Sequence, residues 1–263
     1  EPRSPICVLS KNPMFSTLGQ EVSTREATRE ATRGAHQGSP PGEPTRETTG
    51  NTNREKCPMS RMLTRSIMIM LIAAFAALPA IAQDAKRSIK KVAGDVYRSQ
   101  NNFHFSLIVV TSDGVVVVDP INAGASGWLK ANLKQVTAKP ITHLIYSHSH
   151  GDHASGGAVL GAKTVIAHAN APDAIDGVKP TMRFTDTKTL KIGDKTLELT
   201  YLGKGHGEDL IAVVVRPENV GFIVDAASPK RLPFRDMPHA DVDGWINQIR
   251  KIEQLDFKIF APG

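Results

Sequence analysis

The chain has 263 residues, of which 40% are hydrophobic and 22% are charged, a composition typical of a globular protein that can bury a core. The net charge is +6, but residues 83–263 carry 22 Lys and Arg against 19 Asp and Glu, a net charge of only +3, so we expect no nucleic-acid partner. Both cysteines, Cys7 and Cys57, precede residue 83, which excludes a disulfide, a thiolate nucleophile and a sulfur metal ligand from the region that follows.

The first 58 residues have the composition of a disordered segment. They contain the short repeat TREATREATR and a stretch rich in Pro, Gly, Thr and charged residues. Such sequences bury too little apolar surface to offset the loss of chain entropy on folding. We interpret residues 1–58 as a non-native upstream segment, with a disordered interaction segment as the alternative.

Residues 59–82 match a secretory signal peptide. Two arginines precede an apolar run over residues 67–78, and Ala80-Ile81-Ala82 fits the rule for a cleavage site. The alternative, a transmembrane anchor, needs about 20 apolar residues, more than this run contains. We therefore predict cleavage after Ala82, a periplasmic or secreted protein, and no stable membrane anchor.

Residues 83–263 are predicted to form one domain of strands and helices. We predict β-hairpins over residues 105–120, 190–203 and 209–227, single strands over 140–148, 163–169 and 257–263, and helices over 126–138, 153–161 and 241–255. Ser126 and Asp241 are the predicted N-caps. Runs of strands followed by helices, twice over, indicate sheets packed face to face and covered by helices.

The stretch HSHGDH, residues 148–153, concentrates three of the nine histidines of the chain in six residues. His148 and His150 are two apart, so in an extended backbone both point to one side and can hold one ion. Asp152 and His153 follow a glycine that permits a sharp turn, and they can face a second ion. The alternative is a polar surface loop that happens to be rich in histidine.

Two later residues extend this predicted metal site. His206 lies between glycines in GKGHGED, and Asp225 ends the apolar strand VGFIVD, where a carboxylate is costly unless it is paired or bound to a metal. Asp225 is therefore a candidate to bridge two ions. Imidazole and carboxylate ligands without thiolate suit zinc best, with iron or manganese as alternatives.

HSHGDH, GHGED and FIVDAA together resemble the metallo-β-lactamase superfamily, over about residues 89–263. The resemblance implies an α/β fold of the α+β type, a four-layer αββα sandwich with the metal ions at one edge. It also implies the ligand sets: His148, His150 and His206 for the first metal, and Asp152 and His153 for the second, with Asp225 between them.

The resemblance implies metal-assisted hydrolysis of a small-molecule substrate. A metal-bound hydroxide, oriented by Asp152 as the catalytic residue, would cleave a small ester, thioester, lactone or β-lactam. Asp225 stands where β-lactamases of the superfamily commonly carry Cys or Ser, so the β-lactam is not the default substrate. The alternatives are a mononuclear-iron enzyme similar to persulfide dioxygenases and an inactive metal-binding fragment.

The end of the sequence departs from the family pattern. The family usually continues Pro-Gly with His-Gly, whereas this sequence stops at Gly263. We therefore expect a domain truncated at its C-terminus, with a second metal site that lacks one ligand.

Other polar residues are candidates for roles near the metal site. Lys230 and His239 are expected to contact substrate, although a solvated basic turn and an ordinary loop histidine are the alternatives. Asp119 fits a family aspartate that supports the fold near the metals. His104 and His143 lie in apolar strand patterns and are interpreted as packing residues.

Overall fold

The computed structural model describes the backbone of Cys7–Val8 and, in full, residues 84–229 and 240–263. The chain divides into a unit formed by Glu1–Pro13 with Ala85–Gly263 and a unit formed by Met14–Asp84, and the described helices and strands belong to the first. The predicted signal peptide, and all of the predicted upstream segment except Cys7–Val8, lie outside the described residues. Among the described residues, no helix is long and apolar enough to cross a bilayer.

The described part of the chain contains thirteen strands, four helices and one 3-10 turn. The strands are β1 (Cys7–Val8), β2 (Arg87–Ala93), β3 (Val96–Asn101), β4 (His104–Thr111), β5 (Gly114–Val118), β6 (Ile141–Ile145), β7 (Thr164–His168), β8 (Met182–Phe184), β9 (Thr187–Ile192), β10 (Lys195–Tyr201), β11 (Ile211–Arg216), β12 (Val220–Ile223) and β13 (Ile259–Pro262). The helices are α1 (Ala123–Asn132), α2 (Gly151–Ala154), α3 (Gly157–Leu160) and α4 (Val242–Gln254), and a 3-10 turn (Leu133–Gln135) follows α1.

These strands form two mixed sheets. One has the order β2-β3-β4-β5-β6-β7-β8, and the other the order β1-β13-β12-β11-β10-β9. In the first sheet β2 to β5 are antiparallel and β5 to β8 are parallel. In the second, β9 to β12 are antiparallel and β13 is parallel to β12.

Two hydrophobic cores follow from the alternation of side chains along the central strands. In β5, Val116 and Val118 belong to the core shared with the second sheet, while Val115 and Val117 pack with Leu129 of α1. All five residues of β5 are buried because both faces of the first sheet are covered. Trp245 and Ile252 of α4 join the core of the second sheet. The arrangement is the four-layer αββα sandwich predicted from the sequence.

The three predicted hairpins are present as β4–β5, β9–β10 and β11–β12, and the strands predicted from residues 140, 163 and 257 correspond to β6, β7 and β13. Asp241 caps α4 by accepting a hydrogen bond from the Gly244 amide, as predicted.

The prediction for α1 was wrong in its start and its cap. The helix begins at Ala123, three residues before the predicted start. Asn122 is the N-cap, because its side chain accepts a hydrogen bond from the Ala125 amide at 2.9 Å. The Ser126 hydroxyl is buried and instead donates to the Pro120 carbonyl. The strands β2, β3 and β8 were not predicted from the sequence.

Candidate metal centre

The histidine-rich stretch begins where β6 leaves the first sheet. His148 is 1% exposed and lies just beyond the end of that strand, and His150 precedes the first turn of α2. His206 belongs to the loop between β10 and β11, and Asp225 follows β12, so these two residues come from the second sheet. The two sheets therefore bring the four side chains together at one edge of the sandwich.

The four side chains form a cluster with the dimensions of a metal site. One donor atom from each of His148, His150, His206 and Asp225 lies within 4.8 Å of the others. His150 Nδ1 is 3.1 Å from His206 Nε2, and Asp225 Oδ2 is 3.1 Å from His206 Nε2 and 3.2 Å from His148 Nε2. Ligands about 2.0–2.1 Å from a tetrahedral zinc lie about 3.3 Å from one another. The cluster therefore has nearly the spacing that a zinc ion requires.

A chain of hydrogen bonds behind His148 fixes which ring nitrogen carries the proton. The Ser147 hydroxyl donates its single proton to Asp119 Oδ2 at 2.6 Å, and the same oxygen lies 3.0 Å from His148 Nδ1. Because that proton is already used, Nδ1 must be the donor to Ser147. The lone pair of His148 is then on Nε2, which faces the cluster, as in other metal sites whose histidines are oriented by an outer shell.

Helix α4 holds the loop that carries His206. The Gln248 side chain is fully buried, accepts a hydrogen bond from the His206 amide at 2.9 Å and donates to the Gly203 carbonyl at 2.7 Å. A Cβ atom at position 205 would lie 2.5 Å from the Gln248 side chain, so only glycine permits this close approach. The ring of Trp245 stands edge-on to that of His206, with 5.1 Å between their centroids.

Asp225 occupies an unusual backbone conformation at the end of its strand. Its φ of 55° lies in the left-handed region, which aspartate tolerates better than most residues. The next carbonyl, of Ala226, accepts a hydrogen bond from Trp245 Nε1 at 2.8 Å, so α4 also supports this turn. Asp225 Oδ2 is 3.4 Å from His153 Nε2 as well, which places this carboxylate between two groups of possible ligands.

The second group contains Asp152, His153 and His104. His104 Nε2 lies 3.2 Å from Asp152 Oδ2, and one donor atom from each of the three residues lies within 4.8 Å of the others. The interpretation of His104 as a packing residue does not agree with its contacts, since its side chain is 36% exposed and touches the carboxylate. His143 is half-buried on β6 and shares a hydrogen bond with the Thr142 hydroxyl, outside both groups.

Electrostatics keep most of these groups in the form that binds a cation. Burial lowers the pKa of His150 to about 4, with help from His148 and His206, so His150 is neutral at pH 7. The hydrogen bond with His104 lowers the pKa of Asp152 to about 2. Burial alone would raise the pKa of Asp225, but the neighbouring imidazoles outweigh burial and hold it far below its usual range.

His153 is the exception in the metal-free protein. Burial lowers the pKa of His153, but the carboxylates of Asp119 and Asp225 outweigh burial and raise it to about 10. In the metal-free protein, the positive charge of the His153 imidazolium balances the negative charges of the two carboxylates. A divalent ion that binds His153 must therefore displace its proton.

The unpartnered ring nitrogens are the strongest sign that the residues fit a metal. His148 Nε2 and His153 Nε2 are buried and make no hydrogen bond. Buried polar atoms are rarely left so, because each costs about 1–3 kcal/mol. His148 Nε2 and His153 Nε2 both face Asp225, and a cation in the first group would satisfy the former while a cation in the second group would satisfy the latter. The donor set of imidazoles and carboxylates suits zinc.

The structure places the six predicted ligands at one edge of the fold, in the two groups described above. Lys230 and His239 lie outside the described residues. Sequence reasoning missed Ser147, Gln248 and the position of His104. Ser147 stands next to the motif and could have been weighed as its support, whereas Gln248 is distant in sequence and carries no signal of its own.

Comparisons with known proteins agree with this geometry. A family model described as the metallo-beta-lactamase superfamily matches residues 101–263. The chain is 29% identical over 180 residues to the metallo-beta-lactamase type 2 of Elizabethkingia meningoseptica, which covers 60% of this chain and 69% of that protein. It is 24% identical over 197 residues to the 2,4-dinitroanisole O-demethylase subunit alpha of Nocardioides sp. (strain JS1661), covering 71% of this chain and 60% of that protein.

The chain thus spans between 60% and 69% of the length of these two curated relatives. Among solved structures, the metallo-beta-lactamase from Pontibacter korlensis matches with a TM-score of 0.58 and 22% identity, over 67% of this chain and 90% of that chain. At this level of identity the likeness shows the fold.

Proposed function

We propose that this chain, which belongs to the metallo-beta-lactamase superfamily, is a zinc-dependent hydrolase that cleaves a small ester, thioester, lactone or β-lactam. The observation that carries the proposal is the convergence of three imidazoles and one carboxylate, with 3.1–3.2 Å between neighbouring donor atoms. When bound, a divalent ion supplies Lewis acidity, which lowers the pKa of a coordinated water to about 7 and polarises a carbonyl.

The side chains of the centre would have two roles, to hold the metal ions and to orient a water. His148, His150 and His206 would hold the first ion, and Asp225 would lie between it and the second group. Asp152 is ionised at neutral pH and 58% exposed, so its carboxylate can accept a hydrogen bond from a water on the side open to solvent and orient that water. No serine or cysteine nucleophile is required for this chemistry.

A cleft beside His150 supports a small polar substrate. Its lining includes Ser149, Lys204, Gly207, Asp209 and Asp241. A Cβ atom at Gly207 would lie 3.4 Å from His150 Nε2, at ordinary van der Waals distance, so Gly207 lines the cleft beside the ring. The polar lining favours a substrate with several hydrogen-bonding groups over a long apolar chain.

The test is to load the purified full chain with zinc, determine the bound metal by mass spectrometry, and assay a panel of substrates. The panel contains nitrocefin, a lactone, a thioester and, because one relative is named for its demethylation, 2,4-dinitroanisole. We expect at least one zinc per chain and hydrolysis of one or more panel members, lost in His150→Ala and kept in the matched control His143→Ala.

Two outcomes would overturn the proposal. A chain that binds less than about one metal per molecule lacks the centre on which the mechanism depends. A chain that binds iron and consumes oxygen with a persulfide, without hydrolysis, is a redox enzyme on the same scaffold.

We also propose that the protein is exported, on the basis of residues 59–82. Mass spectrometry of the N-terminus of protein recovered from the periplasm or the medium tests this. We expect the mature chain to start at Gln83, and an uncleaved chain confined to the cytoplasm would contradict export.

A further inference from the structure

We propose that His104 is a protein ligand of a second divalent cation, held together with Asp152 and His153. The inference rests on the metal-dependent function proposed above and deepens it. It assigns a ligand that comes from β4, far in sequence from the HSHGDH stretch.

The distances among the three side chains are those of neighbouring ligands. His104 Nε2 is 3.2 Å from Asp152 Oδ2, close to the separation of about 3.3 Å between two ligands of a tetrahedral zinc ion. The rings of His104 and His153 are 5.2 Å apart at their centroids and inclined by 81°, so both can direct a nitrogen toward a point between them. The donor atoms of all three residues lie within 4.8 Å of one another.

His153 gives an independent reason to place a ligand here. Its side chain is 1% exposed, and neither ring nitrogen makes a hydrogen bond. The carboxylate oxygens of Asp119 and Asp225 are 3.4 Å from these nitrogens, near but without the geometry of a hydrogen bond. A cation bound by His153 would be coordinated by a buried nitrogen that makes no hydrogen bond.

The hairpin between β3 and β4 aims His104 at this place. Asn102, in the turn before it, has a φ of 56°, and Asn101 pairs with His104 across the two strands. Side chains alternate along β4, so His104 shares a face with Ile108, which packs in the same core cluster as Ala154 of α2. Asp152 and His153 belong to that helix, so the register of β4 directs His104 toward them.

The exposure of the three residues fits a catalytic ion better than a structural one. His153 is buried and would anchor the cation, whereas His104 and Asp152 are 36% and 58% exposed. Structural zinc sites are closed by four protein ligands, while catalytic sites keep an open position for water or substrate. Three protein ligands with one open side match the second description.

The experiment compares zinc binding by the full chain with that of His104→Ala and His104→Gln, using mass spectrometry for stoichiometry and calorimetry for affinity. Glutamine places its amide NH2 near the position of His104 Nε2, so it keeps a hydrogen-bond donor for Asp152 but is a poor zinc ligand, and it separates coordination from simple orientation of the carboxylate. His143→Ala is the matched control, and thermal unfolding checks that each variant folds. Cobalt substitution gives a second reading, because its absorption spectrum reports the ligands of each ion.

We expect two zinc ions per wild-type chain and per control chain. Loss of an outer-shell contact typically weakens metal affinity about 10- to 100-fold. In both His104 variants the affinity for the second ion should fall by more than this, while the first ion is retained. If His104→Gln keeps both ions at unchanged affinity, or if the wild-type chain binds only one, the inference is overturned and the hydrolase proposal stands. If the wild-type chain binds none, both fail.

Discussion

Replacing Ser147 with alanine isolates the effect of the proton arrangement behind His148. The substitution removes the hydroxyl that accepts from His148 Nδ1 at 3.0 Å and donates to Asp119 at 2.6 Å. It leaves the Ser147 amide, which donates to the other Asp119 oxygen at 2.7 Å, in place. The backbone of the loop should therefore hold, while the imidazole loses the partner that keeps its proton on Nδ1.

The size of the effect follows from the role of this partner. Loss of an outer-shell hydrogen bond to a metal-binding histidine typically weakens metal affinity about 10- to 100-fold, which is about 1.4–2.7 kcal/mol. The metal-free fold should lose about 0.5–1.5 kcal/mol per hydrogen bond removed. Affinity for the first zinc ion should thus fall clearly without unfolding the domain.

The assay is a zinc titration in competition with a chelator of known affinity, with chemical unfolding of the metal-free protein alongside it. Ser149→Ala is the matched control, because its hydroxyl lies 3.3 Å from Asp209 and contacts no histidine ring, and its affinity should change by less than about twofold. If Ser147→Ala binds zinc as tightly as the wild type, the Ser147 hydroxyl does not set the tautomer of His148 and the reasoning is wrong.

Three further predictions concern the supports around the centre. Gln248→Leu leaves the His206 amide and the Gly203 carbonyl unpaired, so the free energy of unfolding should fall by about 1–3 kcal/mol for each group. Zinc titration should also show a weaker first site. Unchanged values in both measurements would contradict the role of α4. The pKa of His153, about 10 when folded, exceeds its unfolded value of about 6.5, so its stabilisation is complete below pH 6.5 and is lost as the pH rises through 10. Thermal unfolding in a chelator should therefore show a falling Tm from pH 7 to 10, and a flat profile would refute this. Lys195→Ala removes the partner 2.5 Å from the buried Glu218 and should cost about 3–5 kcal/mol in urea unfolding, whereas a double replacement of both residues by methionine should recover most of the loss.

The hairpins and the helix caps show what local patterns can predict. Two β-branched runs around Ser-Asp-Gly predict β4 and β5, because both strands are largely buried and their turn is a strong local signal. The start of α1 was misplaced because Ser126 is a favourable capping residue, whereas Asn122 caps the helix and the Ser126 hydroxyl donates to the Pro120 carbonyl. β2 carries charged residues on an edge of its sheet, and its pattern gives little indication of a strand.

In the metal centre too, contacts within a short motif could be predicted from the sequence, whereas contacts between distant residues could not. HSHGDH is contiguous, so its spacing alone predicts that its side chains act together. His104 was misread because it begins a strand of apolar residues, and its neighbour Asp152 is 48 positions away. Gln248 acts on the His206 amide across 42 positions, a contact that depends on how α4 packs on the second sheet and not on any short pattern.

The ligands of the first group come from different sheets, and this origin has a mechanical consequence. His148 and His150 extend from the sheet of β6, while His206 and Asp225 extend from the sheet of β11 and β12. An ion bound to all four would crosslink the two layers of the sandwich at one edge, in the manner of a disulfide formed between distant segments. Binding energy at the centre would then add to the cohesion of the whole domain, and removal of the ion with a chelator should accelerate hydrogen exchange first at the strand ends that face it.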